Sequence, residues 1–125
     1  MIPIAVLVVD DNPANMRLLR VLLEAEGFQV TCAADAEQAQ AALCGALPDL
    51  ILMDIQLPGM DGLELTRRLK LDPRTAGVTV VALTAYAMKG DEQRMRAAGC
   101  DHYVSKPVDV DALPDQLRRW AGEAR

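Results

Sequence analysis

The stretch Asp49-Leu50-Ile51-Leu52-Met53-Asp54-Ile55-Gln56-Leu57-Pro58-Gly59-Met60-Asp61-Gly62 is the place from which the rest of the chain can be read. Four apolar residues run between two acids, and turn signals at Pro58-Gly59 and Asp61-Gly62 close the run. A short unbroken apolar segment of this kind predicts a strand buried on both faces, as in a parallel sheet. Asp54 stands alone at its exit. In open α/β sheets chemistry collects at the carboxyl ends of the strands, so Asp54 is the first candidate functional residue.

On either side of this strand the pattern turns helical. Upstream, Asp35 is placed to cap an alanine-rich helix through about Cys44, with Ala39, Ala42 and Leu43 toward the sheet, before Gly45 and Pro48 end it. Downstream, Asp61 is placed to cap a helix from Gly62 to about Leu71, with Leu65 and Leu69 on one face. Further out, Ile4 to Val9 forms another buried apolar run that ends in Asp10-Asp11-Asn12-Pro13. Asn12 suits an N-cap and Pro13 a first turn, where a missing N–H costs nothing. That helix is expected to reach about Glu26, with Leu18, Leu19, Leu22 and Leu23 as its apolar side. Gly27 stops it, and Phe28 to Cys32 reads as a short strand.

Val78 to Leu83 is a β-branched strand ending at Thr84, and a polar helix follows from about Ala87 to Ala97, with Met95 as its apolar anchor. His102 to Ser105 is a last short strand before Lys106-Pro107. Val110, Leu113, Leu117 and Trp120 outline a closing helix that starts near Asp111, where Pro114 falls in the first turn. The order βαβαβαβαβα, without an internal linker, predicts a five-stranded parallel sheet covered by helices on both faces. This is a doubly wound, three-layer α/β sandwich, expected as one domain over 1–125.

Bulk composition narrows the function classes. With 125 residues the chain is long enough for a real core. Its 13 basic and 18 acidic side chains give a net charge of −5, which offers no broad basic footprint for nucleic acid or anionic membrane. No apolar run has the length of a membrane span, and Met1-Ile2-Pro3-Ile4 lacks the basic start of a signal peptide. Cys32, Cys44 and Cys100 have no ligand-like spacing and are expected to be small buried hydrophobes in a reduced, cytoplasmic protein.

Parallel strands all end on the same edge, so Asp10 and Asp11, Asp54, Thr84 and Lys106 are expected to meet there. Converging carboxylates raise one another's pKa unless a cation offsets them. An oxygen-rich site of this kind suits Mg²⁺, which commonly bridges carboxylates to phosphate. Lys106 supplies a point charge for an anion, Thr84 a hydroxyl donor, and Asp54 a carboxylate nucleophile of the kind that forms an aspartyl phosphate.

The segments Val8-Val9-Asp10-Asp11-Asn12, Asp54 with Leu57-Pro58-Gly59-Met60-Asp61-Gly62, Ala82-Leu83-Thr84-Ala85 and Tyr103-Val104-Ser105-Lys106-Pro107 together resemble the receiver domain of two-component response regulators. The resemblance spans essentially the whole chain and implies a flavodoxin-like (βα)5 fold. It implies phosphoryl transfer to Asp54 from a phosphohistidine on a sensor or hybrid histidine kinase or a histidine phosphotransfer protein. It further implies Mg²⁺ among Asp10, Asp11, Asp54 and the backbone carbonyl of Gln56, with Asp11 and Asp54 as direct ligands and Asp10 acting through water. Thr84 and Lys106 would hold phosphoryl oxygens, and the Lys106–Pro107 bond would be cis.

By the same resemblance, Thr84 and Tyr103 form a switch read out on a face containing Met88, Lys89, Glu92, Arg96 and Val108. Gln56 and Tyr86 flank the site and tune the lifetime of the acyl phosphate, while Met53 packs behind Asp54 and His102 lies at the surface. The chemistry is then self-phosphorylation and autodephosphorylation, with no conventional small-molecule turnover. The Ala85 to Asp91 segment resembles both single-domain cell-division and polarity regulators and hybrid-kinase receivers. A downstream protein target, no direct nucleic acid or membrane partner, and a monomer or weak dimer are expected. Two other classes stay open: a degenerate receiver serving as an unphosphorylated interaction module, and an aspartyl-phosphate hydrolase, which the short connections disfavour.

Overall fold

The computed structural model describes residues 3–57, 61–85 and 89–123. Its elements are β1 (Ala5–Val9), α1 (Pro13–Ala25), β2 (Gln29–Ala33), α2 (Ala36–Ala42), β3 (Leu50–Asp54), α3 (Gly62–Leu71), β4 (Thr79–Thr84), α4 (Lys89–Ala98), β5 (His102–Ser105) and α5 (Leu113–Glu123). The sheet order is β2-β1-β3-β4-β5, and every neighbouring pair is parallel. This is the five-stranded, doubly wound sandwich expected from the alternation, and its strand order is that of the flavodoxin-like fold implied by the resemblance.

The strand period of two sorts the core into two layers. Leu7, Val9, Ile51, Met53, Val80 and Ala82 face α2, α3 and α4, where they meet Ala39, Leu65, Leu69 and Met95. Val6, Val8, Leu50, Leu52, Val81 and Leu83 face α1 and α5, where they meet Leu19, Leu23, Leu113 and Leu117. Every residue of β3 and β4 is buried, which is why their apolar runs do not alternate with polar residues. Each fully buried Leu or Ile contributes about 1.5–3 kcal/mol, so these two strands hold the site's foundation.

Helix starts follow local chemistry. The Asn12 side chain accepts N–H bonds from Ala14 and Asn15 at 3.0 and 3.2 Å, with Pro13 beginning α1. At α2, Asp35 Oδ1 accepts from Gln38 N while Gln38 Oε1 accepts from Ala34 N, both at 2.8 Å, a reciprocal cap. Asp61 Oδ1 accepts from Leu63 N at 2.9 Å. The end of α2 is held from outside: Arg74 donates to the carbonyl oxygen of Leu43, the C-cap, which has no intrahelical donor, and to that of Gly45 just beyond it.

Several expectations need correction. Leu18 is not part of the α1 core stripe; it is 48% exposed, and Val21 beside it is 61% exposed. Residues one apart on a helix point about 100° apart, and the buried stripe runs through Met16, Leu19 and Leu23. Val110 lies before α5 and is exposed, because Asp109 Oδ1 binds Asp111 N and Ala112 N and delays the helix to Leu113. Of the cysteines only Cys100 is buried; Cys32 is half-buried and Cys44, just past the end of α2, is exposed. His102 is not simply a surface residue: its ring stacks on Trp120 at 4.4 Å and 11°, with Nε2 at 3.5 Å from Glu123 Oε2. No helix among the described residues is long and apolar enough to cross a membrane.

Candidate functional site

The chain runs from β1 out to β2, then returns across β1 to β3, so the strand order reverses between β1 and β3. A crevice opens at the carboxyl ends of the strands at such a reversal. Asp10 directly follows β1 and Asp54 ends β3, which places a carboxylate on each side of that crevice. Asp11 is the next residue out.

One carboxylate oxygen from each of Asp10, Asp11 and Asp54 lies within 4.8 Å of the others. Asp11 is exposed, whereas Asp10 is fully buried and Asp54 is 4% exposed. Asp10 Oδ1 accepts from Asn12 N at 2.9 Å, and its Oδ2 accepts from the Asn15 side-chain amide. Asp54 Oδ1 accepts from Gln56 N at 2.9 Å. Lys106 reaches in from the loop after β5, its Nζ 3.1 Å from Asp54 Oδ2 and 3.7 Å from Asp10 Oδ2. Lys106 N also donates to Thr84 O at 2.7 Å, which ties the loop to the end of β4. The Lys106–Pro107 peptide is cis.

Burial pushes the Asp54 carboxyl above the ordinary carboxylate range, and the charge of Asp10 adds to the effect. The Gln56 N–H and the Lys106 ammonium act in the opposite direction without cancelling it. Two buried acids beside one lysine leave an excess of negative charge. Three carboxylates supply hard oxygen donors only, which fits Mg²⁺ by donor type and by charge.

Gly62, the first residue of α3, lies directly against the backbone of Asp54 and Ile55. A Cβ at Gly62 would sit 2.3 Å from Asp54 O and 2.7 Å from Ile55 Cα, both backbone atoms, and Gly62 N donates to Ile55 O at 3.2 Å. Backbone cannot yield as a flexible side chain can. Gly62→Ala is therefore expected to cost about 1–3 kcal/mol, read as a lower urea midpoint with an unchanged slope. An unchanged midpoint would show that the loop has room there.

Thr84 is buried at the end of β4, and Met53 is buried immediately before Asp54. Gln56 is exposed beside the cleft. On the face of α4 and β5, Glu92 and Arg96 pair at 3.2 Å and Tyr103 is 37% exposed. Val108 is only half-exposed and packs against the core between the sheet and the helices α1 and α5, away from that face. Lys89 opens α4; its side chain, like Tyr86, Met88 and Pro58-Gly59-Met60, lies outside the described residues. Asn15 was not singled out from sequence. Its spacing from Asp10 carries no chemical signal, and only the turn into α1 brings the two together.

From residue 6 to 118 the chain matches the response regulator receiver domain family. It is 43% identical over 122 residues to the polar-differentiation response regulator DivK of Brucella anthropi, covering 98% of this chain and 99% of that relative. It is similar in structure to the receiver domain of a sensor histidine kinase from Pseudomonas aeruginosa PAO1, with a TM-score of 0.88 and 36% identity over 97% of this chain and 99% of that one. That crystal structure has a magnesium ion coordinated in its active-site cleft. A CheY-like receiver domain protein from Methanospirillum hungatei JF-1 is similar at a TM-score of 0.88 and 32% identity, covering 98% of this chain and 97% of that one.

Proposed function

The chain belongs to the response-regulator receiver family, related to DivK-like single-domain regulators and hybrid-kinase receivers, and we propose that it is a phosphorylation-dependent signalling switch whose acceptor is Asp54. The observation that carries this reading is the meeting of three carboxylate oxygens within 4.8 Å with the Lys106 ammonium 3.1 Å from Asp54. A carboxylate held that way can act as a nucleophile, and a cation beside it can hold an anionic group.

In the step proposed, a carboxylate oxygen of Asp54 attacks the phosphorus of a phosphohistidine on a partner protein. The O–P bond forms as the N–P bond breaks, and the imidazole leaves with the electron pair and takes up a proton. Lys106 and the Thr84 hydroxyl hold phosphoryl oxygens. Asp10, Asp11, Asp54 and the Gln56 carbonyl would hold Mg²⁺, which when bound offsets the negative charge gathered on the acids and the phosphoryl group. Hydrolysis of the acyl phosphate by water resets the switch, with Gln56 and Tyr86 setting how readily water enters.

Phosphorylation adds strong acceptor oxygens and charge at the carboxyl ends of the strands. Thr84 and Tyr103 are the residues proposed to pass that change to the α4 and β5 face, where Lys89, Glu92 and Arg96 meet a protein target; Val108, packed on the α1 and α5 side, drops out of that face. The shift is between two packings of the same chain. The domain is proposed to span 1–125, to act in the cytoplasm as a monomer or weak dimer, and to take its phosphoryl group from a histidine kinase or phosphotransfer protein. The 36% identity to a histidine-kinase receiver favours a second setting, in which the same domain is carried by a hybrid kinase.

Intact mass after incubation with acetyl phosphate, with and without Mg²⁺, tests the reading. One labile phosphoryl addition that requires Mg²⁺ is expected. A chain that takes no label from acetyl phosphate or from any phosphohistidine donor would instead be an unphosphorylated interaction module.

A further inference from the structure

We infer that Asn15 is a positioning residue for Asp10, setting the divalent-cation affinity of the acidic cluster by fixing the plane of one of its carboxylates; the inference rests on the Mg²⁺ reading of the site. Asn12 is the N-cap of α1, so Pro13, Ala14 and Asn15 occupy its first three positions. In a usual capping box the side chain at the third position reaches back to the backbone N–H of the cap. Here that N–H is already taken: Asn12 N donates to Asp10 Oδ1 at 2.9 Å. The Asn15 amide goes one step further back and donates to Asp10 Oδ2. The first turn of α1 therefore grips both oxygens of a carboxylate that has no exposure to solvent.

A carboxylate has about four lone-pair sites, and this grip uses two of them, leaving the rest in a fixed direction. Groups that bind a ligating carboxylate from behind orient it, and their loss typically weakens metal binding about 10- to 100-fold. Without Asn15, Asp10 Oδ2 can turn toward Lys106, whose Nζ is already 3.7 Å away. A tighter ion pair there competes with the cation. Residue type matters as well. Glu, a common choice at this helix position, would bring a fourth carboxylate to a cluster of three, whereas Asn brings a donor and no charge.

The test is a double-mutant cycle on the full chain, with Asn15→Ala, Asp10→Asn and the pair. Mg²⁺ is titrated calorimetrically, and Mn²⁺ by water-proton relaxation so that weak variants stay measurable. Asn15→Ser, whose short side chain lacks the reach, serves as a second variant, and circular dichroism checks that each is folded. Asn15→Ala is expected to weaken binding about tenfold or more, and in the Asp10→Asn background to change it by less than about twofold. Equal weakening in both backgrounds would mean that Asn15 acts through the fold at large, and would overturn the inference. Unchanged or tighter binding in Asn15→Ala would overturn it too. A wild-type chain with no affinity for either ion would overturn the Mg²⁺ reading itself.

Discussion

Asp54→Asn is expected to lose all phosphoryl acceptance and, in the presence of a chelator, to unfold at a higher denaturant concentration than the wild type. The first effect follows from chemistry, because an amide oxygen is no substitute for a carboxylate nucleophile. The second follows from electrostatics. Burial raises the Asp54 carboxyl above its ordinary range despite Gln56 N–H and Lys106. The folded chain thus binds a proton at Asp54 more readily than the unfolded chain does.

For such a group the stabilising contribution is full below the unfolded pKa and is lost as pH rises through the folded one. At neutral pH the wild type carries a cost that the unfolded chain does not, because burial and the charge of Asp10 oppose ionisation of Asp54. The neutral isostere removes both that cost and this group's share of the pH dependence. Mg²⁺ should narrow or reverse the difference, since a bound cation inverts the local preference. Urea titrations at neutral and mildly acidic pH, paired with intact mass, read both effects. A mutant that still takes one phosphoryl group, or that is less stable than the wild type in chelator at neutral pH, would count against this account.

The second large effect concerns the phosphodonor. Leu18 and Val21 lie three residues apart on the solvent side of α1, so they form one apolar patch. The patch begins about 9 Å along the helix from Asn12, six residues at about 1.5 Å each, and Asn12 touches Asp10 at the cleft. A protein that delivers a phosphoryl group to Asp54 must lie across the rim of that cleft, and α1 forms one side of it. Leu18→Glu and Val21→Glu should each slow transfer from a phosphohistidine protein about tenfold or more, as charge placed in an apolar contact does. That corresponds to about 1.4 kcal/mol of transition-state binding. Labelling by acetyl phosphate, which needs no docking, should stay within about a factor of two of wild type, because neither side chain touches the acidic cluster. Rapid-quench transfer assays with both donors separate the outcomes. Equal loss with both donors would point to damage at the site, and no loss with the protein donor would remove α1 from the interface.

What could be read without coordinates was whatever depends on local pattern or on rules of topology. The apolar run Leu50 to Met53, short and closed by turn signals, reads as a strand covered on both faces, and five such units with helical spacers predict a parallel sheet. Parallel strands end together, so Asp10, Asp54, Thr84 and Lys106 could be assigned to one edge before any distance was known. Asp35, Asp61 and Asn12 could be assigned as caps because their side chains bond backbone only two or three residues away.

Rotation, reach and pairing between distant segments came from the tertiary structure alone. Leucines at 18 and 19 look alike in sequence, and only the docking of α1 on the sheet buries one and exposes the other. His102 and Trp120 are eighteen residues apart and stack because α5 packs back along β5. Gly62 reads as a turn residue, yet its lack of a side chain matters because the backbone of Asp54 lies against it. Asn15 is one polar residue among many until the first turn of α1 brings its amide onto Asp10. Spacing along a chain fixes which groups reach the same edge, but the direction of each donor, and so the binding strength of the site, is a property of the packed elements.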